Sequence, residues 1–187
     1  MMKHRIKSFL FILTPLFLIL GACSNIENKH DGEMAEEMEH GEMNHSSSGD
    51  VPDGLKEAST PKYELGSKAI IKVDHMEGMK DAKATISGAY ETVVYTVTYT
   101  PTTGGEKVED HKWVIHEELK DFSDQPYQPG EAVVINADHM KGMNGAAATI
   151  DSAEDMTVYM VDYMPTTGGD EVKNHKWVTE SELEPVE

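Results

Sequence analysis

The chain has 187 residues, with 16 Lys or Arg against 34 Asp or Glu and a formal net charge of −18. This acidity argues against a nucleic-acid partner and against docking of the folded part on an anionic membrane surface, because both need clustered basic side chains. With 39% hydrophobic residues, the length allows one domain or two small domains with a tail.

Residues 1–22 have the composition of a bacterial lipoprotein signal peptide. Basic residues precede an apolar run from Phe9 to Leu20, which is too short for a bilayer-spanning helix. The run ends in a Leu-Gly-Ala-Cys sequence at Cys23, which resembles a lipobox, whose Cys is acylated and anchors the mature chain in the membrane. An ordinary secretory signal with an incidental Cys is the alternative. Removal of the three basic residues of the signal changes the formal charge to −21.

Residues 23–60 are expected to form a disordered tether, because they contain almost no β-branched or aromatic side chains to bury. Three His and three Met alternate within this polar segment: His30, Met34, Met38, His40, Met43 and His45. Met has no core to fill here, and thioether and imidazole groups together favour copper, Cu(I) first and Cu(II) second. One alternative is an acidic spacer with incidental His and Met. Another is Zn(II) or Ni(II) bound by the His and Glu, which would leave the Met unexplained.

Residues 63–120 and 127–184 are a tandem duplication, identical at 29 of 58 positions with a constant offset of 64 residues. A long period that occurs only twice predicts a pair of domains rather than a solenoid. We therefore expect one repeat domain at 61–122 and a second at 123–187.

Each repeat has the alternating pattern of β-strands. Tyr95, Val97 and Tyr99 fall on one face of a run in the first repeat, and the second repeat has the same pattern 64 residues later. Pro-Thr-Thr-Gly-Gly in each copy is typical of a turn. Four or five short strands per repeat predict a mainly β protein with two tandem SH3-like β-barrels; OB-like barrels are the alternative.

An Asp-His-Met-x-Gly-Met sequence follows the first strand of each repeat. Its His and two Met are candidate Cu(I) ligands, because a loop lets neighbouring side chains converge. These residues are His75, Met76, Met79, His139, Met140 and Met143. The alternative is that the Met side chains pack in the core while the His bonds to Asp or backbone.

A His-Lys-Trp sequence begins the last strand of each repeat. Since residues i and i+2 of a strand share a face, His111 is expected beside Trp113 and His175 beside Trp177. We expect the Trp side chains in the core. A second interpretation is that each Trp shields a Met-bound Cu(I) through a cation–π contact.

Motifs for catalysis are lacking in the sequence. It contains no Gly-x-Ser-x-Gly, phosphate-binding loop, dinucleotide fingerprint or His-Glu-x-x-His. The carboxylates are numerous but scattered, and the single Cys is assigned to the lipid. We therefore expect a binding protein and not an enzyme.

The three repeated signatures, Asp-His-Met-x-Gly-Met, Pro-Thr-Thr-Gly-Gly and His-Lys-Trp-Val, resemble the YdhK family, Gram-positive lipoproteins with tandem copies of a small domain of unassigned function. Some members, called CopL, are copper-binding surface lipoproteins associated with copper resistance, and their His/Met-rich stretch is similar to residues 30–45. The resemblance implies copper sequestration at the outer face of the cytoplasmic membrane. Exchange with a copper-export ATPase would extend this function. The rival is a wall-facing module that recognises a peptide or glycan.

Overall fold

Eight β-strands make up the computed structural model, which describes residues 46–186. In chain order they are β1 (Lys56–Glu57), β2 (Lys68–Ile71), β3 (Lys83–Tyr99), β4 (Val108–Ile115), β5 (Ala132–Val134), β6 (Ala147–Tyr163), β7 (Val172–Thr179) and β8 (Leu183–Pro185). Short 3-10 helices, His116–Glu118 and Glu180–Glu182, follow β4 and β7. All eight strands belong to one antiparallel sheet, so the mainly β prediction is confirmed. Within these residues no helix is long and apolar enough to cross a membrane.

The two 17-residue strands β3 and β6 form the centre of the sheet. They run antiparallel and pair along almost their whole length, from Ala84 opposite Tyr163 to Tyr99 opposite Ala148. Most strands in globular proteins have 3–10 residues, so each of these is long enough to serve both ends of the molecule.

The two halves of β3 belong to different lobes of the molecule, and so do the two halves of β6, so that each lobe combines strands of both repeats. Lobe A contains β2, the first half of β3, the second half of β6, β7 and β8; lobe B contains β5, the first half of β6, the second half of β3, and β4. The separate repeat barrels that we expected are therefore not what forms. Each lobe instead takes strands from both repeats, because β3 and β6 continue straight through the point where a hairpin would have closed each barrel.

Each lobe has its own hydrophobic core, and each core mixes the two repeats. In lobe A, Ile71 and Ile86 of the first repeat pack in one cluster with Tyr159, Val161 and other residues of the second. Lobe B has the reciprocal arrangement, with Tyr95, Val97 and Tyr99 of the first repeat against Ile135 and Ile150 of the second. A third cluster lies between them and contains Val94, Ile115, Val158, Met160 and Trp177.

The stretch 46–60 lies on the folded part of the molecule, although the sequence predicts disorder there. Lys56 pairs with Glu91 in the sheet, and Leu55 packs against the central cluster. The Ser47 backbone N–H donates to the Lys173 carbonyl at 2.9 Å. Backbone hydrogen bonds and one apolar anchor therefore order a segment whose side chains are mostly small and polar. The predicted signal peptide, Cys23 and the six tail ligands lie outside the described residues.

Candidate functional site

The Asp-His-Met-x-Gly-Met loop of each repeat is braced by the Pro-Thr-Thr-Gly-Gly turn of the other repeat. The Thr166 N–H donates to the Gly78 carbonyl at 2.9 Å, and the Thr102 N–H donates to the Gly142 carbonyl at 2.8 Å. Gly78 has a φ of +78°, and a Cβ there would lie 2.6 Å from Thr167 Oγ1. Only Gly fits both the conformation and the contact, so the turn fixes the position of the loop.

The histidine of each loop bonds to a buried glutamate of the other repeat. His75 Nε2 lies 3.0 Å from Glu182 Oε1, and His139 Nε2 lies 2.8 Å from Glu118 Oε1. Both glutamates end a 3-10 helix, and their side chains are less than a tenth exposed. A buried carboxylate needs several hydrogen bonds to offset the loss of water, so the other partners of these groups matter.

A tryptophan N–H from the other lobe donates to each glutamate. Trp113 Nε1 lies 3.1 Å from Oε1 and 3.0 Å from Oε2 of Glu182, which also accepts the Thr179 N–H at 2.8 Å. Burial alone would raise the pKa of Glu182, but hydrogen bonds from His75, the Thr179 N–H and Trp113 outweigh it, and the pKa lies below its usual value. This carboxyl group is therefore an anion that accepts hydrogen bonds at neutral pH.

Glu118 has the equivalent set of partners in lobe B. Its Oε2 accepts the Trp177 Nε1–H at 3.0 Å and the Ile115 N–H at 3.2 Å, while Oε1 faces His139. We name the two sets triad A (His75, Glu182, Trp113) and triad B (His139, Glu118, Trp177). Each triad needs both repeats, because the His and Trp come from one repeat and the Glu from the other.

Sequence reasoning missed the two glutamates. They look like ordinary members of a crowd of surface carboxylates, and the sequence analysis treats the carboxylates as scattered. The available signal is the duplication itself, because Glu118-Leu119 recurs as Glu182-Leu183 while the preceding residues differ. Identity between repeats at a charged position within a variable stretch can indicate a buried role.

A cavity of about 900 Å³ collects four histidines and two methionines of the two repeats. They are His75, Met76, His111, His139, Met140 and His175. Glu118, Lys112 and Lys176 also line it, and so does the N-terminal stretch at Ser46–Ser48. The predicted ligands of two separate repeat sites thus border one shared space.

His111 has an unusual environment in the wall of this cavity. Its Nε2 is buried and has no hydrogen-bond partner, and its ring packs edge-on against Tyr99 at 5.7 Å between centroids. Burial first, and then the nearby His139 and His75, lower the pKa of His111 to about 4 against an opposing effect of Glu118. The ring is therefore neutral at physiological pH, which is the form in which imidazole binds metals.

Met79 and Met143 do not reach the cavity. Both are fully buried, Met79 in the core of lobe A and Met143 in the core of lobe B. The structure therefore brings the His and the first Met of each motif to the cavity and places the second Met in a core, as the packing alternative has it.

The tryptophans also lie outside the cavity lining, since Trp177 belongs to the central cluster and Trp113 packs against it. The sequence places each His and Trp on one strand face, but in the structure His111 and His175 line the cavity while the Trp side chains lie in or against the central cluster. In both strand pairs a register shift falls between the His and the Val that follows the Trp, and it interrupts the alternation.

Within residues 46–186, no three His, Cys, Asp or Glu side chains stand close enough together to form a ready-made metal site. The cavity histidines are spread around the wall, and the two Met side chains are the soft donors beside them.

Two segments of the chain, residues 65–116 and 129–180, match a family model described as "Protein of unknown function (DUF1541)". These segments coincide with the repeats, which confirms the tandem organisation. The chain is 55% identical over 176 residues to "Uncharacterized protein YdhK" of Bacillus subtilis strain 168, covering 92% of this chain and 85% of the relative.

Solved structures of ydhK from B. subtilis resemble this fold. A crystal structure at 2.00 Å resolution gives a TM-score of 0.75 at 60% identity and covers 79% of this chain and all of the other. A solution NMR structure of the ydhK C-terminal domain gives a TM-score of 0.63 at 61% identity and covers 65% of this chain and 92% of the other.

Proposed function

The chain belongs to the DUF1541 family of proteins of unknown function, and from this premise we propose that it is a lipid-anchored copper-binding protein. It sequesters copper, mainly Cu(I), at the outer face of the cytoplasmic membrane of a Gram-positive cell and so contributes to copper tolerance. Cys23 carries the lipid, and the protein acts by binding and not by catalysis. Exchange of copper with an export ATPase is a further part of this proposal.

The observation that supports this proposal is the convergence of His75, Met76, His139 and Met140 on one cavity with His111 and His175. Thioether sulfur is a soft ligand that selects Cu(I), and neutral imidazole binds both copper oxidation states. The lowered pKa of His111, to about 4, keeps that ring uncharged at neutral pH, so one of its two nitrogens carries no proton that would compete with a metal.

The six His and Met of residues 30–45 are the second donor set in this proposal. His45 directly precedes Ser46, which lines the cavity, so the tail donor set ends in the chain beside a cavity-lining residue. The acidic composition around them attracts cations, while His and Met supply the selectivity that carboxylates lack.

An anaerobic Cu(I) titration of the lipid-free chain 24–187 against a coloured chelator tests the proposal. We expect sub-micromolar binding that weakens by at least tenfold when Met76 and Met140 are both changed to Ser. A parallel variant with the six tail His and Met changed to Ser separates the two donor sets. Failure of the unmodified chain to bind copper would end the proposal.

Met164→Ser is the matched control. Met164 is 57% exposed and lies outside the cavity, and Met140 is 37% exposed within it, so neither substitution should affect folding much. If Met164→Ser weakens copper binding as much as the cavity variant, the loss reflects total Met content and not the cavity.

The size of the cavity supports a second candidate function, recognition of a small peptide or glycan at the cell wall. A volume of about 900 Å³ is far more than one ion fills, and it lies within the range of small-molecule sites. Lys112, Lys176 and Asp138 give its wall polar groups of both charges. Amide chemical shifts of the metal-free chain, recorded with soluble wall fragments, would move at the cavity residues if this candidate is right and stay unchanged if it is wrong.

A further inference from the structure

The two glutamates stand behind the histidines of the cavity. Glu182 touches His75 and Glu118 touches His139, and each glutamate is in turn bonded to a Trp and to a backbone N–H. One carboxylate oxygen of each Glu caps its own 3-10 helix by accepting the backbone N–H three residues before it. The other oxygen faces the histidine, so each Glu links the fold to the orientation of a cavity side chain.

We infer that Glu118 and Glu182 are positioning residues, each of which holds one cavity histidine with Nε2–H on the carboxylate, so that the Nδ1 lone pair is the one offered to a metal ion. This inference rests on the proposed function, because it names which nitrogen of each ring serves as the donor.

The argument starts from the hydrogen-bond chemistry of the pair. A carboxylate can only accept, so the ring nitrogen that faces it must carry a hydrogen. In a neutral imidazole the other nitrogen then holds the lone pair, which is the form that binds metals. A carboxylate behind a metal-binding histidine commonly fixes both the tautomer and the ring orientation in this way.

The remaining contacts fix the carboxylates themselves. Glu118 Oε2 accepts from Trp177 Nε1 and from the Ile115 N–H, which leaves Oε1 for His139. The indole reaches Glu118 from lobe A, so the orientation of a lobe B histidine depends on a side chain of the other lobe. The same dependence holds in reverse for triad A.

A change of Glu118 to Gln converts this geometry into a test. A Gln side chain has one oxygen, and two N–H donors already face the Oε2 position. The oxygen is expected to stay there, which points the NH₂ group at His139 Nε2. Because NH₂ donates, Nε2 must then accept, and the ring hydrogen moves to Nδ1. The lone pair then lies on Nε2, which faces the Gln side chain, and Nδ1 no longer has a lone pair to offer to a metal ion.

The experiment records the ring nitrogen signals of ¹⁵N-labelled, metal-free chain 24–187 by long-range ¹H–¹⁵N NMR, which distinguishes the two tautomers. The C-terminal domain of ydhK, which is 61% identical and covers 65% of this chain, has been solved by NMR in solution. In the unmodified chain we expect His75 and His139 mainly as Nε2–H. In Glu118→Gln, His139 should change to mainly Nδ1–H while His75 stays mainly Nε2–H. In Glu182→Gln, His75 should change to mainly Nδ1–H while His139 stays mainly Nε2–H.

Glu117→Gln is the matched control. Glu117 is the neighbouring carboxylate, and its change to Gln removes the same charge. In the structure it accepts a hydrogen bond from Thr92 Oγ1 at 2.6 Å instead of bonding to a histidine. Neither ring should change tautomer in this variant. On copper loading, each triad variant should bind Cu(I) about 10- to 100-fold more weakly, the usual cost of losing such a partner, and the control should bind as before.

The outcomes separate the two proposals. An Nδ1–H form of His75 and His139 in the unmodified chain, or triad variants with unchanged tautomers, would overturn the positioning role whether or not copper binds. Expected tautomers with no copper binding would leave the positioning role standing and remove the proposed function. Because the unmodified chain is itself informative, poor folding of one variant does not block the test.

Discussion

Triads A and B have the same hydrogen bonds in different surroundings. In triad B, Trp177 is 1% exposed, and its ring packs edge-on against Tyr90 at 5.8 Å. In triad A, Trp113 is only partly buried at the margin of the same cluster. The bond lengths to the glutamates nevertheless agree closely, at 3.0 and 3.0–3.1 Å. The polar geometry thus does not depend on how deeply the indole is buried, and the two triads should differ in energy more than in function.

The largest expected effect is a loss of stability from changes at the buried Met that both lobes have in their cores. Met79→Ala and Met143→Ala each remove a fully buried side chain from a lobe core, and each should lower the free energy of unfolding by about 2–5 kcal/mol. Urea denaturation measures this loss. Copper affinity of the folded variants should be unchanged, since both side chains lie outside the cavity lining. A loss of affinity without a loss of stability would make these residues ligands after all.

The sequence is sufficient to predict the repeat and the mainly β fold, but not the exchange between repeats. It leaves open whether the second Met of each motif packs in a core or binds a metal. Alternation with period two identifies a strand, yet it is the same whether the strand pairs within its own repeat or with the other. The sequence predicts four or five short strands in each repeat, but β3 and β6 each run for 17 residues. Ser87-Gly88 lies inside β3, at a register shift where Gly88 faces Met160. The shared cavity and the triads follow from that pairing, so they could not be predicted either.

A pair of indole substitutions should separate the triads by energy. Trp177→Phe removes a buried N–H and part of a packed ring, and we expect a loss of about 1–3 kcal/mol in the free energy of unfolding. Trp113→Phe should cost about 1 kcal/mol or less, since its ring is partly exposed. The two urea midpoints, measured with equal slopes, provide the comparison. Equal losses would mean that the hydrogen bond to Glu, and not the packing, sets the cost.

Substitutions that disturb the contact between each loop and the turn of the other repeat should lower the free energy of unfolding less, and by a similar amount in both lobes. Gly142→Ala introduces a Cβ about as close to Thr103 as that of Gly78→Ala is to Thr167, and both residues have φ near +80°. Each change should cost about 1–2 kcal/mol for the left-handed backbone, with a further loss from the contact. Gly130→Ala is the control, because Gly130 has a φ of +89° but no atom within 4 Å of the added Cβ. If all three variants lose the same stability, the turn does not brace the loop.

The smallest expected effect concerns the N-terminal stretch, which lies along β7 of lobe A and is the clearest difference between the two lobes. Ser46 Oγ accepts the Lys173 N–H at 2.9 Å, so Ser46→Ala should speed amide hydrogen exchange at Lys173 by up to about tenfold, equivalent to about 1.4 kcal/mol. Glu109 of β4 occupies the equivalent position in lobe B, and its exchange rate should not change. Equal acceleration at both amides would mean that the stretch stabilises the whole sheet. Acceleration confined to Lys173 would mean that its influence is local to lobe A, and that the two halves of the cavity wall differ in mobility although their triads match.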